Sequence, residues 1–88
     1  MKSAIFDNEG EYVDRYTFIN ENGDMFVCNS KPFHPQGIGM YCGNVTDCLN
    51  ITTEKFIKDA IKDKRLGKLV SLNSLPKDVK DFIKEKKA

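Results

Sequence analysis

The sequence predicts an α+β fold, a small antiparallel sheet of three to four strands with two helices packed on one face, in a single domain. Three observations predict it. Two runs rich in aromatic and β-branched residues, 15–20 and 25–29, flank Asn22-Gly23, the strongest short hairpin signal. Two later stretches carry apolar residues at helical spacing. At 88 residues the chain is one domain or less, and a chain that short buries only roughly 60–65% of its unfolded surface. A marginal core of that size favours an oligomer, so a homodimer or higher homo-oligomer is expected.

In chain order, Ala4-Ile5-Phe6 reads as a short strand or a frayed arm, followed by a turn at Asn8–Gly10. With Asn22 and Gly23 as the two central residues of a type I′ turn, Asn20 faces Met25. Tyr16, Phe18 and Asn20 then share one face of the strand, and Thr17 and Ile19 the other. Apolar residues on both faces imply a core on one side and partial cover on the other, by a neighbouring loop or a second subunit. Val45–Ile51 reads as a short strand. Thr52 or Thr53 caps a helix whose apolar stripe is Phe56, Ile57, Ala60 and Ile61, and Gly67 ends it. Lys68–Leu72 reads as a strand. Ser74 and Pro76 open a last helix with Val79, Phe82 and Ile83 as its buried stripe.

Charge is unevenly spread. Residues 1–49 sum to −4 and residues 50–88 to +5, for a net +1. A basic half suits an anionic partner. The lysines of the last helix alternate with Asp78, Asp81 and Glu85, however, so it lacks the clean phosphate-binding stripe of a duplex nucleic-acid reader. No run approaches the roughly 18 apolar residues of a membrane span, and the N-terminus shows no apolar signal region. The expectation is a soluble, cytoplasmic protein with no membrane partner and with its three cysteines reduced. Asn44-Val45-Thr46 and Asn50-Ile51-Thr52 match the glycosylation pattern by chance in such a compartment.

The stretch Lys31–Asn44 carries the functional signal. It holds two of the three prolines, three of the six glycines and the only histidine. It is too rich in Pro and Gly for a helix or central strand, and too apolar for a solvated loop. Arg15, Phe33, His34, Gln36, Gly37, Tyr41 and Asn44 make the candidate binding set. Arg and His can meet phosphate, and Phe33 and Tyr41 can stack on a base; Tyr and Arg equally dominate protein interfaces. The partner is therefore a small nucleotide or a host protein. A purely structural use, the loop covering one face of the sheet, fits the same residues.

Other chemistry is weaker. His34 with Cys28, Cys42 and Cys48 lacks the close cysteine pairs of zinc sites. Cys42 with His34 lacks an orienting group and an oxyanion hole. Gly37–Gly43 is neither GxGxxG nor a P-loop. The expectation is a non-catalytic protein with no cofactor and no metal. The alternatives are a structural or assembly protein, or a small metal- or Cys/His-dependent enzyme.

Four segments occur in order: Asp14-Arg15-Tyr16-Thr17, Pro32-Phe33-His34-Pro35-Gln36-Gly37, Leu66-Gly67-Lys68 and Leu75-Pro76-Lys77-Asp78-Val79. In this the chain resembles small uncharacterised proteins of phages and prophages with DRYT, HPQG, LGK and LPxDV motifs. The resemblance runs from Asp14 to about Ile83. It brings no residue roles. It implies a small accessory protein acting in a bacterial cytoplasm, and the expected role is binding, as an accessory or counter-defence factor.

Overall fold

The computed structural model describes residues 2–11, 14–28 and 39–87, with no side chain described for residues 28 and 39–42. Five strands form one antiparallel sheet: β1 (Ala4–Asp7), β2 (Tyr16–Ile19), β3 (Asp24–Cys28), β4 (Gly39–Asn44) and β5 (Lys68–Val70). Their spatial order is β4-β3-β2-β1-β5. Three α-helices accompany them: α1 (Val45–Leu49), α2 (Thr53–Asp63) and α3 (Lys77–Lys86). The fold is α+β, with one strand and one helix more than the sequence predicts. The additions are β4, in the Gly-rich stretch, and α1, where a strand was expected. Asn44 stops that strand by turning its side chain to cap α1, accepting from the amides of Thr46 and Asp47.

The helices do not share one face of the sheet. Ala4, Phe6, Ile19 and Met25 pack with Val45 of α1 and with Phe56, Ile57 and Ala60 of α2. Ile5, Tyr16 and Phe18 pack with Leu75 and with Val79, Phe82 and Ile83 of α3 on the opposite side. The period-2 alternation thus sends one apolar set to α1 and α2 and the other to α3, giving three layers. That arrangement explains apolar residues on both faces of β2 without a loop or a second subunit. The apolar trio at the start of the chain is no frayed arm, because β1 lies inside the sheet and is buried along its whole length.

The hairpin forms one residue out of the predicted register. Ile19 pairs with Met25 and Phe18 with Phe26. A type I′ turn needs positive φ at both central residues, and among the described residues Gly23 has it (+88°) while Asn22 does not. The loop instead spans three residues. Asn20 Oδ1 accepts from the amides of Asn22 and Asp24, at 3.0 Å each, and this Asx turn sets the register.

The hairpin tip is also where the other elements are tied. Its three successive carbonyls each accept one outside donor. Glu21 takes Thr53 Oγ1 of α2 at 3.3 Å, Asn22 takes Asn44 Nδ2 at 2.8 Å, and Gly23 takes the Val45 amide at 2.8 Å. Asn20 Nδ2 reaches the Lys86 carbonyl of α3 at 3.4 Å.

The helix borders follow their caps. Thr52 Oγ1 accepts from the Lys55 amide, and α2 ends with Lys64 in the left-handed region at φ 60°. Ile61, at 42% exposed, is the one member of the predicted α2 stripe left outside the core. After β5 the chain makes a 3-10 turn at Leu72–Ser74 in place of a longer strand, and Pro76 precedes the first residue of α3.

Asp7, at the end of β1, is buried and holds Arg15 by two bonds, Nε to Oδ1 at 2.7 Å and Nη2 to Oδ2 at 3.0 Å. The Arg15 guanidinium holds the Asp7 carboxyl below its ordinary value of 3.8, against the opposing effect of burial, and the Glu9 amide helps. A depressed carboxylate stabilises the fold above its unfolded pKa, and that stabilisation is lost as pH falls through the folded pKa. Asp7→Asn is therefore expected to cost about 1.5 kcal/mol at pH 7. In thermal melts taken from pH 7 downward, the gap from wild type should start to close below about pH 4 and vanish below the folded pKa of Asp7. A gap constant with pH would refute the assignment.

Candidate functional site: an apolar cleft at an open corner of the sheet

On the α2 side, among the described residues, the helix leaves one corner of the sheet uncovered. The N-terminus of α2 sits at the hairpin tip, where Thr53 meets Glu21, and the chain after α2 passes the end of β1, where Gly67 abuts Asp7. Among the described residues, the far ends of β2 and β3 therefore lie beyond α2. A cleft of about 790 Å³ forms there. Its floor is Thr17, Met25 and Val27; Thr17 and Val27 are direct cross-strand partners on the face shared with Ile19. Val45 and Leu49 of α1 make one wall, and Phe56 and Ala60 of α2 another. Asn8, Asp14, Arg65 and Leu66 form the rim.

The chemistry of the cleft is that of a ligand seat. Its size lies in the range that encloses a small organic molecule, roughly 300–1,000 Å³, and its surface is mostly apolar with a few polar groups at the edge. Leu49, at 52% exposed, stands open at the wall. Arg65 is 73% exposed and pairs with Asp63 only at 3.5 Å, so its guanidinium can swing to an anion. The cleft also adjoins the Pro/Gly-rich stretch, since Val27 pairs with Gly39, the first residue of β4.

Of the seven residues in the candidate binding set, Phe33, His34, Gln36 and Gly37 lie outside the described residues. Tyr41 is on β4, its side chain outside the description. Arg15 and Asn44 are described, and both are committed to the fold. Arg15 is spent on Asp7 and lies 5.2 Å from the Tyr16 ring centroid. Asn44 sits at the hairpin tip, next to Val45 of the α1 wall.

Asn44 donates both to Asn22 and to Asp24 Oδ1, and its Oδ1 also takes the Thr46 hydroxyl.

Sequence reasoning missed the cleft residues because they come from five segments and share no motif. The retrievable signal was parity. Thr17 and Val27 lie on the same face as Ile19 and Met25 once the register is right.

The cysteines also differ from expectation. Cys48, in α1, is disulfide-bonded rather than reduced, and its partner sulfur is outside the described side chains. A bonded Cys48 offers no thiolate to the metal set proposed for it with His34. Among the described residues, no helix is long and apolar enough to cross a membrane.

Set against known proteins, the chain matches no family model, no curated protein and no solved structure.

Proposed function

We propose that the chain is a non-catalytic binding protein, of the phage accessory type, that sequesters a small ligand in the cleft between the open sheet corner and helices α1 and α2. The observation that carries this reading is the concave apolar surface of about 790 Å³ bounded by Val27, Leu49 and Phe56, with Arg65 at its rim. A planar group such as a nucleobase suits an apolar cleft, and Arg65 at the rim supplies a partner for phosphate. The proposal therefore names a small nucleotide as the first ligand to test, acting in a bacterial host cytoplasm as a counter-defence factor. The exposure of Leu49 favours a second reading, in which an apolar side chain of a host protein enters the same cleft.

A thermal-shift screen against mono-, cyclic and dinucleotides tests the first reading. Ligand at about 100 times its dissociation constant stabilises the fold by about 2.7 kcal/mol, which a domain of this size shows as a rise of roughly 10 °C or more. Leu49→Glu should abolish the shift while changing the unliganded melt by less than about 0.5 kcal/mol, because Leu49 is exposed. If no nucleotide moves the melt, and host lysate yields no stoichiometric partner that Leu49→Glu loses, the binding reading fails.

A further inference from the structure

We infer that the Cys48 disulfide is a redox-sensitive clamp on α1, the helix that walls the cleft. Three observations lead there. Cys48 is disulfide-bonded, and it is exposed, so a dithiol can reach it. Its helix is only five residues long, too short to hold itself by intrahelical bonds. Val45 and Leu49, which flank Cys48 in α1, both face the cleft.

A bond at Cys48 therefore fixes the wall that those two residues form. A disulfide whose Cys48 end is exposed on a short element is of the labile kind. The reductant is a small or protein dithiol. One of its thiolates attacks a sulfur of the bond to give a mixed disulfide, and its second thiolate resolves that species. Two electrons pass to the protein, Cys48 and its partner take up two protons as thiols, and the dithiol leaves as its own disulfide. With the tether cut, α1 keeps the Asn44 cap and the buried Val45 but loses its hold at Cys48, and the Leu49 wall loosens. The consequence for ligand binding rests on the cleft being the seat; the clamp itself does not.

Amide hydrogen exchange on the whole chain, in oxidised and in reduced dithiothreitol, tests the inference. In the reduced sample the α1 amides should exchange about tenfold faster or more, while those of Val79–Ile83 in α3 stay unchanged. Reoxidation should restore α1. Cys48→Ser should show the fast exchange in both conditions. If that variant does not fold, the wild-type comparison decides alone. Equal protection of α1 in the two conditions overturns the inference, as does failure of the native protein to release thiols to the reductant. The readout needs no ligand, so an empty nucleotide screen leaves it standing.

Discussion

Gly67→Ala is expected to be among the most damaging single substitutions in this chain, at about 3 kcal/mol or more, with the melting temperature lowered by roughly 12 °C or more. Two costs combine. Gly67 has φ +94°, a backbone region that L side chains rarely adopt. A methyl group there would also lie 2.2 Å from the Asp7 carbonyl oxygen and 2.5 Å from the Asn8 Cα. Those atoms are backbone at the end of β1, so relief requires moving a strand rather than a side chain. The strand in question is central, between β2 and β5, and its Asp7 pairs with Lys68 as well as with Tyr16. Gly10→Ala is the control. Gly10 has φ +87°, yet nothing lies within 4 Å of the added methyl. It should show the conformational cost alone, about 1 kcal/mol. Urea unfolding of both variants measures the difference, and equal losses would refute the close approach of β1.

The role of Gly67 was half legible. The sequence marks it as the end of α2, whereas the helix is closed by Lys64 in the left-handed region, and Gly67 serves the crossing of β1. The same division holds elsewhere. The hairpin, the stripes of α2 and α3 and the Thr52 cap follow from local periodicity and capping chemistry, and local rules find them. The hairpin register does not, because Asn-Gly supports two loop lengths and the choice falls to the Asn20 side chain. The placement of α2 and α3 on opposite faces is equally non-local. It depends on Ile5 and Phe6 pointing to opposite sides of a strand whose neighbours are β2 and β5.

The candidate site was less legible than the fold. A run dense in Pro, Gly and aromatic residues draws attention to itself, whereas a cleft is made by what a helix fails to cover. Nothing in the composition of α2 says that it crosses the sheet so as to leave a cleft over Thr17 and Val27. Arg15 looked like a ligand residue because a free arginine binds anions. Its carboxylate partner, Asp7, lies eight positions earlier and meets it only after β1 and β2 pair.

Asn44→Ala should cost about 3 kcal/mol, since one side chain caps α1 and ties it and the end of β4 to the hairpin tip. Alanine loses the α1 cap, worth about 1 kcal/mol. It also removes the donor to the Asn22 carbonyl at 2.8 Å and the donor to Asp24 Oδ1 at 2.9 Å, the second assisted by the carboxylate charge. Asp24 would keep the Asn20 amide, at 3.3 Å, as a side-chain partner. Asn44→Asp separates the contributions. An aspartate can still accept from the amides of Thr46 and Asp47, so the cap survives, but it cannot donate while ionised and sets a second carboxylate beside Asp24. If capping were the whole role of Asn44, the aspartate variant would match wild type. If the link between β4 and the hairpin tip dominates, it will be about as unstable as the alanine variant at pH 7, and acidification will recover part of the loss as the introduced carboxyl gains a proton and becomes a donor. We expect the second result, read by urea unfolding at pH 7 and pH 4. The reason is topological. Asn44 is the last residue of an edge strand and the first contact of α1, so its amide joins the outer wall of the cleft to the hairpin at the centre of the fold.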